Sequence, residues 1–144
     1  MVLDLGSGGG LDVFLAADLV GPTGIVVGLD GSQVCSDTPR NRRYSSILLQ
    51  DMINLARRNA KSKGVRPPQV AFAQASLTEE LPIESMSVNC IISNCVLNLL
   101  PSTGKSAVLK EAFRVLKPGG RIHLADVSAF SQGSGSCSDR LVLL

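Results

Sequence analysis

VLDLGSGGG, residues 2–10, is the stretch from which the rest of the chain is read. A short apolar run carries one acid, Asp4, and then breaks into a loop with glycines at 6, 8, 9 and 10. Helical spacing follows at once through Leu11, Val13, Phe14, Leu15, Ala16 and Ala17. The pattern reads as a buried strand, a tight glycine turn and a helix N-terminus. That arrangement holds a nucleotide-like cofactor at the carboxyl edge of a parallel sheet. Its bland alternative is a purely structural strand-to-helix turn.

Working outward, a helix over Leu11–Val20 stops at Gly21-Pro22, and Ile25–Leu29 forms a second apolar strand closed by Asp30. Gly31–Ser46 mixes Gly, Ser, Pro and Arg with no period and reads as a loop. Helical spacing returns over Ile47–Lys63, with Gly64 as C-cap. Val70–Ala75 and Val88–Ser93 read as strands, the latter apolar enough to be central. Thr103–Leu116 is an amphipathic helix with Val108, Leu109, Ala112, Phe113 and Leu116 on one stripe. Lys117–Gly120 is a turn and Arg121–Val127 a fifth strand. Strands alternating with helices predict an α/β fold, a doubly wound, mostly parallel sheet with right-handed crossovers. Residues 1–127 form its core, 31–50 an inserted loop and 128–144 a divergent, disordered tail.

Composition narrows the function classes. A chain of 144 residues with 44% hydrophobic and 18% charged residues is one globular domain. Arg40, Arg42 and Arg43 against Asp37 account for the whole net charge of +2, which leaves no basic face for nucleic acid. No apolar run approaches the roughly 18 residues of a membrane span, and no signal peptide precedes the first strand. Cys35, Cys90, Cys95 and Cys137 lack zinc-like spacing and read as free thiols, which predicts a cytoplasmic protein.

The glycine pattern selects among cofactors. A dinucleotide fingerprint begun at Gly6 and Gly8 needs its third glycine at position 11, which is Leu11; the chain has Gly6-x-Gly8-x-Gly10 instead. Asp30 ends the second strand, where an acid accepts ribose hydroxyls, although a strand-end or helix-cap acid is equally ordinary there. Together with LKPGG (116–120), these residues resemble the class I methyltransferases that use S-adenosylmethionine, whose core is Rossmann-like. The resemblance implies that Asp4 helps hold the cofactor's ammonium end and that Gly6, Ser7, Gly8 and Gly10 line its methionine part. It also implies that Asp30 binds ribose, that the Ser76-Leu77 turn meets the adenine through backbone, and that Asn94 borders the pocket.

Closer strings are SGGGLDVFLAA (7–17), GPTG (21–24), LARRNAKSKGV (55–65) and IISNCVLNL (91–99), which resemble the arsenite methyltransferases. By that resemblance Cys95 is a catalytic thiol and a ligand of trivalent arsenic, with Asn94 and Asn98 beside it. The substrate is then arsenite or its thiol conjugate. Trivalent arsenic is soft and thiophilic; it keeps a lone pair, so the protein's contribution is mainly positioning. The bland reading of Cys95 is a small buried hydrophobe. Cys90 takes that reading, since alternation sends it to the face opposite Cys95. His123 reads as structural, and Lys105, Lys110, Arg57, Arg58, Lys61 and Lys63 as solvated faces.

Against the family pattern the chain looks truncated at both ends, and 31–50 and the tail read as retained intron sequence. An open sheet edge with an exposed apolar face is the expected consequence. Two other functions stay open: a class I methyltransferase for another small molecule, and a catalytically inactive cofactor-binding fragment.

Overall fold

The computed structural model describes residues 1–31 and 39–126, with 39–49 described by their backbone alone. In chain order the elements are β1 (Val2–Leu5), α1 (Leu11–Val20), β2 (Val26–Asp30), α2 (Pro39–Ser62), β3 (Val70–Gln74) and β4 (Val88–Asn94). A single 3-10 turn at Leu97–Leu99, α3 (Ser102–Val115) and β5 (Leu116–Ala125) follow. All strands run parallel in the order β3-β2-β1-β4-β5. The chain moves outward from β1 to β3 and then returns to β4 on the other side of β1. The connections after β1 and β4 therefore diverge, leaving a crevice at the carboxyl ends of the strands.

Alternation along the strands gives the sheet two apolar faces. On one, Val13, Phe14 and Ala17 of α1 and Ile53, Ala56 and Ala60 of α2 pack on Val26, Val70 and Phe72. On the other, Val108, Ala112 and Val115 of α3, with Leu77 and Leu81, cover Leu3, Leu5, Leu29, Val88 and Ile91. Each such side chain contributes about 1.5–3 kcal/mol when fully buried. Arg114 fastens the connection before β4 to α3: it donates to the Ile83 and Leu81 carbonyls (both 3.0 Å) and pairs with Glu111 at 2.7 Å. Glu111 in turn accepts from Leu81 N at 2.9 Å. At the outer strand, Arg57 Nη2 donates to the Phe72 carbonyl at 2.9 Å, covering part of an otherwise unpaired edge.

Three sequence expectations need correction. Residues 39–46, expected as loop, belong to α2. Pro39 suits a first helical turn because its missing N–H has no intrahelical partner to lose, and no Gly or Pro interrupts residues 40–62. LKPGG is not a turn outside the sheet but a bulge within β5. Val88 pairs with Leu116 and Cys90 with Arg121, and Gly119 takes φ +79° inside the extra length. The α3 stripe is narrower than expected, with Phe113 84% exposed and Leu109 also outside the core. Leu11, Leu15 and Leu19 of α1 are likewise exposed, as are parts of the edge strand β5. The expected tail, Cys35 and Cys137 lie outside the described residues.

Candidate functional site

The glycine loop is held from three sides. Gly6 N and Ser7 N both donate to the Leu29 carbonyl (2.8 and 3.0 Å), and Gly10 N closes the turn on Ser7 O at 2.8 Å. The Asp30 carboxylate accepts Gly8 N at 2.6 Å. From α2, Asn59 Nδ2 donates to Gly9 O at 3.0 Å. Two positions require glycine outright. At Gly6 (φ +82°) a Cβ would run into Val96 Cγ2, and at Gly10 (φ +92°) it would stand 2.7 Å from Phe72 Cζ. Phe72 is itself fixed edge-to-face on Phe14, with centroids 5.8 Å apart. Ser7 is buried over Gly28, and its Oγ is the buried side-chain polar atom without a hydrogen-bond partner among the described residues.

Beneath this loop lies an electrostatic conflict. Asp4 is 1% exposed, and its pKa is raised from 3.8 to about 7, first by burial and then by the negative charges of Asp12 and Asp30. A buried acid crowded by two further carboxylates is an environment that a cationic ligand relieves. S-adenosylmethionine carries an ammonium and a sulfonium, so these residues fit it. Ala75 N donates to Asp30 O at 3.1 Å, which brings the Ser76-Leu77 turn alongside the end of β2. The Leu77 side chain is buried in the α3-side core. Ser76 Oγ lies 3.2 Å from Thr78 Oγ1.

Across the switch point stands the end of β4. Ser93 Oγ donates to Leu5 O at 2.9 Å, tying β4 to β1 beside the loop. Asn94 is exposed, and its Nδ2 donates to Asp12 Oδ2 at 3.4 Å. Cys95 follows the strand with φ +56° and an exposed side chain, so it is not the buried hydrophobe of the bland reading. Its N–H donates to the Ala125 carbonyl at 2.8 Å, and Asn98 N donates to Asp126 Oδ2 at 3.0 Å. The alternation argument that set Cys90 against Cys95 does not apply, because Cys95 lies beyond the end of β4 in a left-handed conformation. Cys90 is half-buried within the strand.

Asp4, Gly6, Ser7, Gly8, Gly10, Asp30, Ser76 and Leu77 therefore gather at one end of β1–β3, and Asn94 and Cys95 at the adjoining end of β4. Sequence reasoning missed Asp12, Asn59, Val96 and Asp126. Asp12, in the first turn after the glycines, and Asp126, an acid at a strand end, carried a readable signal; Asn59 and Val96 act only through tertiary contact. His123 is exposed and lines a shallow groove of about 330 Å³ with Asp12, Leu15, Leu19 and Asn94. A cleft of about 490 Å³ between α2 and β3, lined by Arg57, Lys61 and Arg66, opens beside β3 and contains no residue of the glycine loop. Among the described residues no helix is long and apolar enough to cross a membrane, and no three His, Cys, Asp or Glu side chains form a metal-holding group.

Comparison with known proteins shows the family. The sequence pattern of the family described as "Methyltransferase domain" matches residues 49–140. An arsenite methyltransferase of Halobacterium salinarum is 39% identical over 126 residues, covering 88% of this chain and 27% of that protein. A ubiquinone/menaquinone biosynthesis C-methyltransferase of Vibrio cholerae is 34% identical over 128 residues, covering 88% of this chain and 41% of that protein. The crystal structure of an arsenic(III) S-adenosylmethionine methyltransferase from Chlamydomonas reinhardtii superposes with TM-score 0.68 at 36% identity. That superposition covers 91% of this chain and 40% of the solved one. The chain thus spans well under half the length of these relatives.

Proposed function

We propose, on the premise that this chain belongs to the methyltransferase domain family, that it carries the cofactor half of an arsenite methyltransferase and holds trivalent arsenic on Cys95. The fold is the Rossmann-like one of class I methyltransferases, and S-adenosylmethionine is the cofactor. When bound, it supplies an electrophilic methyl group. The chain's own part is binding and alignment. Asp30 keeps the glycine loop in shape through Gly8 and presents its second oxygen to the ribose. Asp4 takes the ammonium end, and the bare backbone at Gly6–Gly10 admits the methionine part closely. Cys95 offers a thiolate to a soft acceptor on the β4 side of the same crevice. The observation that carries the acceptor assignment is that Cys95 is solvent-facing at the end of β4, next to Asn94, which reaches Asp12 beside the glycine loop. The cytosol suits a chain whose Cys90 and Cys95 are free thiols.

The identity to a quinone C-methyltransferase favours a second reading, a methyltransferase for another small acceptor, because the cofactor residues do not choose the acceptor. Calorimetry with S-adenosylmethionine, followed by arsenite methylation with glutathione present, separates the readings. The expected result is cofactor binding by both the chain and Cys95→Ser, with methyl transfer lost in the variant. No binding overturns the methyltransferase reading. Transfer unchanged in Cys95→Ser overturns the arsenic assignment. Binding without any transfer to arsenite points to another acceptor or an inactive cofactor-binding fragment.

A further inference from the structure

The turn after β4 is gripped from two sides, and only one of them belongs to the cofactor cradle. On the cradle side, Asn94 reaches Asp12. On the opposite side the end of β5 supplies two acceptors in succession. The Ala125 carbonyl takes the N–H of Cys95, and the Asp126 carboxylate takes the N–H of Asn98 at 3.0 Å. Cys95 stands between these grips with φ +56°, a conformation that a β-carbon disfavours and that persists only where its surroundings over-determine it. Neither β4 pairing nor the short 3-10 turn at Leu97–Leu99 fixes that conformation by itself, since Cys95 lies between them.

We infer that Asp126 is a positioning residue for the acceptor side of the crevice: its carboxylate, at the end of β5, fixes the turn that presents Cys95 and Asn98. The inference rests on the acceptor reading of Cys95 for its chemistry, but the clamp itself rests only on the Asp126–Asn98 geometry. A hydrogen bond to a charged acceptor is worth more than a neutral one, so a backbone amide held this way resists opening. The glycine loop meets this turn at Val96, against Gly6, and the Asp126 clamp acts two residues further on, at Asn98. Loss of Asp126 is therefore expected to weaken acceptor binding more than cofactor binding.

The test compares wild type, Asp126→Ala and Asp126→Asn, the last retaining an oxygen acceptor. Three quantities are read: hydrogen exchange at the Asn98 amide, affinity for S-adenosylmethionine, and capture of phenylarsine oxide by Cys95 with glutathione present, followed by mass spectrometry. In Asp126→Ala the Asn98 amide exchanges at least tenfold faster and arsenical capture falls at least fivefold, while cofactor affinity stays within about twofold. Asp126→Asn restores most of both losses. Faster exchange with unchanged capture makes Asp126 a structural cap and overturns the inference, as does exchange that does not change. Wild-type Cys95 that captures no arsenical, alongside an iodoacetamide reaction rate that Asp126→Ala shifts at least threefold, overturns the arsenic reading while the positioning role stands. Equal iodoacetamide rates in that case overturn both.

Discussion

The carboxylate of Asp30 and the backbone N–H of Gly8 meet at 2.6 Å, so the acid that ends β2 shapes the loop that ends β1 before it touches any ligand. Asp30→Ala removes a charge-assisted hydrogen bond and the proposed ribose acceptor together. Such bonds contribute about 1.5–3 kcal/mol each, so calorimetry is expected to show S-adenosylmethionine affinity reduced at least tenfold. Asp30→Asn keeps an acceptor for Gly8 and should lose less. Equal losses in the two variants would mean that the loop does not depend on this bond.

Asp4 makes a pH prediction with a definite sign. Its folded pKa of about 7 stands above the unfolded 3.8, so the folded chain binds more protons between those values. Stability of the unliganded protein is therefore highest below about pH 4 as far as this group is concerned, falls as pH rises through 4 to 7, and then levels. The full effect is on the order of 4 kcal/mol. Asp4→Asn flattens that slope and raises the urea midpoint at pH 8, and on the proposed assignment of Asp4 to the ammonium end it weakens cofactor binding. Cofactor binding to wild type near pH 7 should also release up to about half a proton, visible as a calorimetric heat that depends on the buffer's ionisation enthalpy. A binding heat independent of buffer would remove Asp4 from the ammonium site.

How much of this was legible in advance depends on whether local chemistry or tertiary contact decides each feature. The helix over Leu11–Val20 begins after Gly10 and stops at Gly21-Pro22, and its limits in the fold are those of the sequence reading. Asp30 ends β2 as its place after an apolar run implied. The glycine at position 6 was readable as part of a motif, but its reason was not. It lies against Val96, which is ninety residues later in the chain and is brought there by the β1–β4 pairing. The left-handed turn at Cys95 has the same origin, since its N–H is drawn to Ala125 on β5. LKPGG failed for a related reason: a local turn signal was absorbed as a bulge once Arg121–Ala125 paired with β4. The N-terminal part of α2 carries no apolar period to read; it continues as helix through a run free of Gly and Pro after Pro39.

The Gly6–Val96 contact can be dissected by a double-mutant cycle. Gly6→Ala meets both a left-handed φ and the Val96 side chain, and should cost about 2–4 kcal/mol in a urea titration. Val96→Ala opens a small cavity and has its own cost. In the double variant the steric part of the Gly6 penalty disappears while the backbone part stays. The two losses are thus expected to fall short of additivity by at least about 1 kcal/mol. Strict additivity would show that the Gly6 requirement is conformational alone, with no close approach between the loops after β1 and β4.

Cys95 offers the sharpest test of whether this end of β4 is built for chemistry rather than for stability. A β-carbon at φ +56° is disfavoured, and glycine adopts that conformation without the steric cost. The gain from Cys95→Gly is partly offset by the larger entropy of glycine in the unfolded chain, leaving a net stabilisation of up to about 1 kcal/mol. Because the Cys95 side chain is exposed, its removal leaves no cavity to subtract from that gain. The expected pattern is a urea midpoint at or above wild type, S-adenosylmethionine affinity within about twofold, and no arsenical capture. That pattern would support the proposed acceptor role, because the strain at Cys95 would then have no counterpart in stability. A clearly lowered midpoint in Cys95→Gly would instead assign the side chain a packing role and take away that support for its place in the acceptor site.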